Sequence, residues 1–308
     1  MPLIGLDEML QDKLRILIYG PPGAGKTTLV ASALSVPEMC PVLICDCDYG
    51  LLSIRDKLLL PAMRDGRAKV LTMHDYKDIG QMHTACVHEK TPFKTVILDS
   101  LTEYYVMEMR LRLALANRSG EPPKGLDYGE THQRVLDFLR DIQQANRVHF
   151  LATCWERKVQ DAMNGSLYTL PDLPGQVATK GPGYFHVVGY LLADVRKKGD
   201  AIVASHVLQT QPYGRRYAKD RTSNPLIALN EPSIALYYDI MYKGLSIAPR
   251  GDDDIEREEI DPSILNVFPV VSEVVSSKGT GSMTAAEESS TPGLETTPTE
   301  TELPEQAE

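Results

Sequence analysis

The chain has 308 residues, 43% of them hydrophobic and 24% charged, with a formal net charge of −10 at pH 7. That is enough for one large domain or two small ones, and no apolar run reaches the roughly 18 residues a membrane-spanning helix needs. The start, Met1 to Glu8, has no basic region ahead of an apolar core and does not read as a secretory signal, and five cysteines at no framework spacing read as reduced, so a cytoplasmic protein is expected.

The charge is unevenly spread. Residues 251–308 hold 15 acids against Arg257 and Lys278, leaving 27 acids and 30 bases in residues 1–250. A mildly basic body of 1–250 is therefore followed by an acidic tail of 251–308, rich in Ser, Thr, Pro and Glu and interrupted by an apolar patch at 264–275. Such composition predicts a largely disordered segment. It solubilises the body, or it competes with nucleic acid for a basic groove, or it docks a partner.

In chain order, residues 1–13 read as a lead-in and Leu14 to Tyr19 as a buried strand. Gly20-Pro21-Pro22-Gly23-Ala24-Gly25-Lys26-Thr27 fits G-x-x-x-x-G-K-[ST] and is followed by a helix over Thr27 to Leu34. Strand readings follow at Pro41 to Cys45, Ala68 to Met73 and Lys94 to Ser100, with helices over Tyr76 to Glu89 and Thr102 to Ala116. Cys45 and Cys47 share a face of the second strand and read as core, since no second pair completes a zinc site. Asn117 to Tyr128 has loop chemistry, and Glu130 to Ala145 returns to helical period with Val135, Leu136, Leu139 and Ile142 on one face. Val148 to Cys154 is the next strand. After Trp155 a polar loop and Pro171 to Gly175 lead to strand-like Val187 to Val195 and Ala201 to Leu208, at hairpin spacing. A last helix is read from Pro232 to Lys243. The expected fold is α/β: a mostly parallel central sheet flanked by helices, with antiparallel strands added at the C-terminal edge.

The glycine-rich stretch predicts a phosphate cradle, because glycines let successive N–H groups point inward at the start of a helix. Gly20 through Thr28 are the expected phosphate-binding residues. Lys26 is expected at the β- and γ-phosphates of ATP, and the Thr27 hydroxyl on Mg²⁺. Such a loop needs a second acid at a neighbouring strand end, and Val96-Ile97-Leu98-Asp99 supplies Asp99 for the metal, with Ser100 beside it. Hydrolysis needs a carboxylate for the attacking water. Asp46 and Asp48 share a face at the end of the second strand, and Asp48, the more C-terminal, is preferred, the alternative being that both cap the Tyr49-Gly50 turn. Thr153 ends a strand expected between those of the P-loop and Asp99, where a hydroxyl senses the γ-phosphate or is satisfied by backbone. Glu156 and Arg157 follow at the crevice mouth. Tyr213 to Arg221 interleaves two tyrosines with four cations, suiting a nucleic-acid strand, a charge donor to a neighbouring subunit's ATP, or a plain solvated hairpin.

Taken together, GPPGAGKTT, DCDYGL, VILDSLTEYY, DYGETH, FLATCWER, LPDLPG and AKDR resemble the phage RecA-like ATPases of the Sak type, compact single-strand annealing recombinases with a RecA/RadA-like core. The resemblance covers about residues 12–245. It implies a P-loop NTPase of RecA-like type that hydrolyses ATP with Mg²⁺, binds single-stranded DNA and assembles as a homo-oligomer, a ring or filament, in the cytoplasm of a bacterial host. It implies that Lys219 and Arg221 act across a subunit interface and that Asp48 stands where such proteins usually carry Glu. It places DNA-binding loops at Asn117 to Tyr128 and Arg157 to Tyr184, with Arg118, Lys124, Arg157, Lys158, Lys180 and Tyr184 as candidates, and a single-strand-binding protein as a partner for the tail. Two other classes use the same loop: a small-molecule kinase, for which Arg110 and Arg112 would serve as lid arginines, and a nucleotide-gated scaffold such as a helicase loader.

Overall fold

The structure, a computed structural model, describes residues 12–160, 165–198, 201–222 and 228–243. The expected acidic tail over 251–308, with its apolar patch at 264–275, lies outside the described residues, as does most of the lead-in. No helix among the described residues is long and apolar enough to cross a membrane.

The strands are β1 (Arg15–Gly20), β2 (Val42–Asp46), β3 (Ala68–Thr72), β4 (Thr95–Asp99), β5 (His149–Gln160), β6 (Leu167–Pro171), β7 (Val187–Lys198), β8 (Ala201–Gln209), β9 (Lys219–Asp220) and β10 (Ala228–Asn230). The helices are α1 (Lys26–Ala31), α2 (Leu60–Arg64), α3 (Ile79–Val87), α4 (Leu101–Leu115), α5 (Gly125–Ala145), α6 (Gly175–Lys180) and α7 (Ile234–Tyr242). The sheet runs β10-β8-β7-β1-β5-β4-β2-β3, with β6 paired to β5 and β9 to β7. Its centre is parallel, and β8, β9 and β10 join antiparallel at one edge. This is the expected α/β class.

Strand alternation sorts the core into two layers. Leu17 and Tyr19 of β1, Val96 and Leu98 of β4, and Phe150 and Ala152 of β5 pack with α3, α4, α5 and α6. Ile16, Ile18, Ile97 and Leu151 point the other way and pack with α1, α2 and α7. Each fully buried side chain of this size contributes about 1.5–3 kcal/mol, so neither face tolerates a one-residue slip of register.

Four features differ from the sequence reading. Helix α5 begins at Gly125 rather than Glu130, because Asp127 Oδ2 accepts the Lys124 N–H at 2.8 Å and so caps a first turn inside the apparent loop. The polar stretch after Trp155 is not a loop: β5 continues to Gln160 and pairs antiparallel with β6. The first four residues of β7 run parallel to β1 before the strand pairs antiparallel with β8. The helix after the P-loop is also short, passing into a 3₁₀ turn at Ser32–Ser35.

Candidate functional site

Parallel strands β1, β2, β4 and β5 end at one edge, and the loops beyond their C-terminal ends form a crevice. The glycine-rich loop leaves β1 there. Gly23 and Gly25 take φ of 76° and 89°, a backbone region that lets N–H groups turn inward and that side chains disfavour. Lys26 Nζ lies over the loop and donates to the carbonyls of Gly20 and Pro21, both at 2.9 Å. Burial lowers the pKa of this ammonium, against the pull of Asp99, Asp48 and Glu156. Thr28 is exposed at the start of α1.

Asp99 is the last residue of β4, and alternation turns it, with Ile97, toward the face that α1 covers. Its carboxylate is held from two strands. Thr27 Oγ1 donates to Oδ2 at 2.7 Å, and Thr153 Oγ1 donates to Oδ1. Thr153 reaches it because β5 lies between β1 and β4, the order expected for a hydroxyl at this position. A buried carboxylate beside a threonine hydroxyl is a hard-oxygen donor set, which suits Mg²⁺.

The two acids beyond β2 part ways. Asp46 is buried, and its Oδ1 accepts the Gly50 N–H at 3.2 Å, so it caps the Tyr49-Gly50 turn. Asp48 faces the crevice. Ser100 Oγ donates to its Oδ1 and Trp155 Nε1 to its Oδ2, each at 3.1 Å. Burial raises the Asp48 pKa; the Trp155 hydrogen bond opposes that, the Asp99 charge adds to it, and Ser100 and Lys26 oppose it. Ser100 also accepts the Glu103 N–H at 3.3 Å and thereby caps α4, so one hydroxyl joins a helix start to Asp48. The Asp99–Ser100 peptide is cis.

The sequence did not single out Trp155, because an isolated tryptophan after a strand carries no pattern. It also missed His206. A Cβ on Gly25 would stand 3.2 Å from the His206 ring, so this imidazole on β8 lies against the P-loop. Glu231 stands behind it: its Oε1 accepts the His206 backbone N–H at 3.0 Å, and its Oε2 lies 3.9 Å from the ring Nδ1. At the crevice mouth Glu156 accepts the Tyr190 hydroxyl at 2.8 Å.

Other expected residues stand elsewhere. Lys219 pairs with Val188, which lies opposite Leu17, and the Arg221 N–H bonds His186 O beside Arg15. Lys219 is therefore about 10 Å and Arg221 about 17 Å back along the sheet from Gly20, away from this chain's own crevice. The Lys219 ammonium is buried with no hydrogen-bond partner, and burial and Arg221 bring its pKa down to about 8. Arg112 is tied to Asp127 and Glu130, and Arg118 to Asp127 and Glu121, so these two cations brace the start of α5. Arg110 lines a cleft of about 420 Å³ with His74, Met107 and Leu113. Lys124 and Lys158 are exposed and Arg157 half-buried. Lys180 bonds Gln176 at 3.0 Å, and Tyr184 accepts from Arg140 at 3.4 Å, while its carbonyl accepts from Arg15 at the far end of β1.

A family model described as an AAA domain matches residues 12–222. No curated protein matches the chain. Among solved structures, the crystal structure of the RadB recombinase matches at 18% sequence identity and a TM-score of 0.43, over 71% of this chain and 86% of that one.

Proposed function

From the premise that this chain belongs to the AAA-domain family, whose P-loop binds nucleotide, we propose that it is an ATP-hydrolysing recombination protein that binds and anneals single-stranded DNA. The observation that carries the nucleotide half is the convergence of Lys26, Thr27, Asp99 and Thr153 at one crevice. Gly20 to Thr28 would hold the phosphates of ATP, and Thr27 and Asp99 the Mg²⁺. Bound Mg²⁺ supplies charge neutralisation on the phosphate oxygens. Thr153 fixes the Asp99 carboxylate, and Asp48 orients the attacking water.

The DNA half rests on the resemblance of residues 12–245 to the phage Sak-type annealing proteins and on the hairpin beyond the crevice. There Trp155 is exposed and Arg157, two residues on and so on the same face of the strand, is half-buried, an aromatic and a cation beside the nucleotide loops. That pairing suits stacking and phosphate contact with a single strand. Lys219 and Arg221, remote from their own crevice, would meet ATP bound by a neighbouring subunit in a ring or filament. The tail of net charge −13 over 251–308 would compete with DNA or dock a single-strand-binding protein. Truncation after Arg250 is then expected to tighten DNA binding, and an unchanged affinity across salt concentrations removes the competition.

The deciding experiment is ATP hydrolysis with and without single-stranded DNA, with Lys26→Ala as the blank. Stimulation by DNA supports the reading. Turnover that responds to a metabolite instead marks a kinase, and ATP-dependent binding of a partner protein without DNA marks a scaffold.

A further inference from the structure

The chain's single tryptophan stands in β5 opposite Gly20 of β1 and remains 47% exposed. Its place is not explained by packing, since a core indole would be covered. Its backbone is clamped on both sides: the Trp155 N–H bonds Thr102 Oγ1 at 3.0 Å, and its carbonyl accepts the Asp172 N–H at 2.8 Å. Only the side chain is left to choose a partner. Indole has one donor and no acceptor, and that donor is spent on Asp48 Oδ2.

Asp48 needs such a partner. It lies two residues past the end of β2, outside the ladder, and follows directly on Cys47 at the mouth of the crevice. With one methylene fewer than Glu, its carboxylate reaches less far, so its direction matters more. Ser100 holds one oxygen and Trp155 the other. Two donors from two elements fix the plane of the carboxylate, whereas one would leave it free to swing about that bond. Each oxygen keeps a lone pair for a water.

We propose that Trp155 is a positioning residue of this site, its indole N–H holding Asp48 in the orientation that receives the attacking water. This rests on the reading of Asp48 given above. The test combines a contact readout with a kinetic one. A lone tryptophan gives a single indole N–H resonance in the full-length protein, without nucleotide. Asp48→Ala is expected to move that proton upfield and to speed its exchange with solvent, and an unmoved resonance overturns the contact. In steady-state hydrolysis, Trp155→Phe is expected to lower kcat about tenfold or more with the KM for ATP within about twofold, because misdirection of a reacting group by about 1 Å costs up to 100-fold. Added to Asp48→Ala it should cost nothing further. Wild-type kcat in Trp155→Phe overturns the proposal. If the wild type hydrolyses no ATP, the reading of Asp48 fails and this role falls with it, while the resonance still shows whether the hydrogen bond exists. Trp155→His, which retains an N–H donor, is expected to recover part of the lost kcat.

Discussion

Thr27 Oγ1 donates to Asp99 Oδ2 at 2.7 Å, joining the end of the P-loop to the end of β4 across 72 positions of sequence. Thr153 takes the other oxygen of the same carboxylate. The Thr27 bond is part-buried and the Thr153 bond buried, and hydrogen bonds from a hydroxyl to a carboxylate are strong enough that loss of one partner is felt. Asp99→Asn keeps the shape and removes the charge that would balance a divalent ion. The Mg²⁺-dependent part of ATP affinity is expected to vanish, measured by titration calorimetry with and without Mg²⁺, and turnover to fall roughly 100-fold or more. An Asn variant that keeps the Mg²⁺ dependence would assign the metal to another acid.

Two glycines of the loop differ in what surrounds them. A Cβ at Gly20 would stand 2.2 Å from Leu191 O, a backbone atom of β7, whereas one at Gly23 meets nothing within 4 Å. Gly20→Ala must therefore move a strand, with an expected loss of about 3 kcal/mol. Gly23→Ala suffers only its positive φ, about 1 kcal/mol. Urea unfolding of the two variants reads the difference directly. Equal losses would mean that β7 does not abut the P-loop strand as described.

The centre of the sheet was legible because burial writes a pattern. Ile16 to Tyr19, Val96 to Leu98 and Phe150 to Ala152 are covered on both faces, and each run stops at a residue with chemistry or a turn. What lay outside that pattern was not. Arg157 to Gln160 extends β5 with side chains on both faces reaching solvent, so its polarity reads as loop. Pro122, Pro123 and Gly125 spell a turn, yet Asp127 caps the helix there through a tertiary pairing with Arg118. The hydrogen bond from Trp155 to Asp48 spans 107 positions and follows from the strand order β1-β5-β4-β2, which no local spacing encodes. The sequence likewise supplied Lys219 as a cation but not its burial.

Asp127 makes the start of α5 pH-sensitive. The Lys124 N–H and the Arg118 guanidinium hold its carboxyl below the ordinary aspartate range. A depressed native pKa means that the stabilisation is complete above the unfolded value and is lost as pH falls through the native one. Wild type is expected to lose more stability than Asp127→Asn as pH drops from about 5 to 2, the range in which this carboxyl titrates. Chemical denaturation at a series of pH values checks it. Parallel curves would show that the two arginines do not bind this carboxylate in solution.

Lys219 gives the same sign at the alkaline end, from a different cause. Its native pKa of about 8 lies below the ordinary lysine value of 10.5, with burial the first cause and the Arg221 charge the second. Below pH 8 the lysine is charged in both states, and burying that charge without a partner works against folding. Between those two values the native protein has released the proton and the unfolded chain has not, so stability rises with pH relative to a variant that cannot titrate. The stability gap between Lys219→Met and wild type is therefore expected to shrink from pH 7 to 10, with denaturant midpoints compared at each pH so that other titrating groups cancel. An anion presented by a neighbouring subunit would hold the proton on Lys219 and flatten the trend. Repeating the series at protein concentrations and ATP levels that favour assembly thus reads the interface role of Lys219 separately from its burial. A gap that stays constant under all conditions would mean that the ammonium is solvated or paired, and the case for its acting on a second subunit would lose its physical basis.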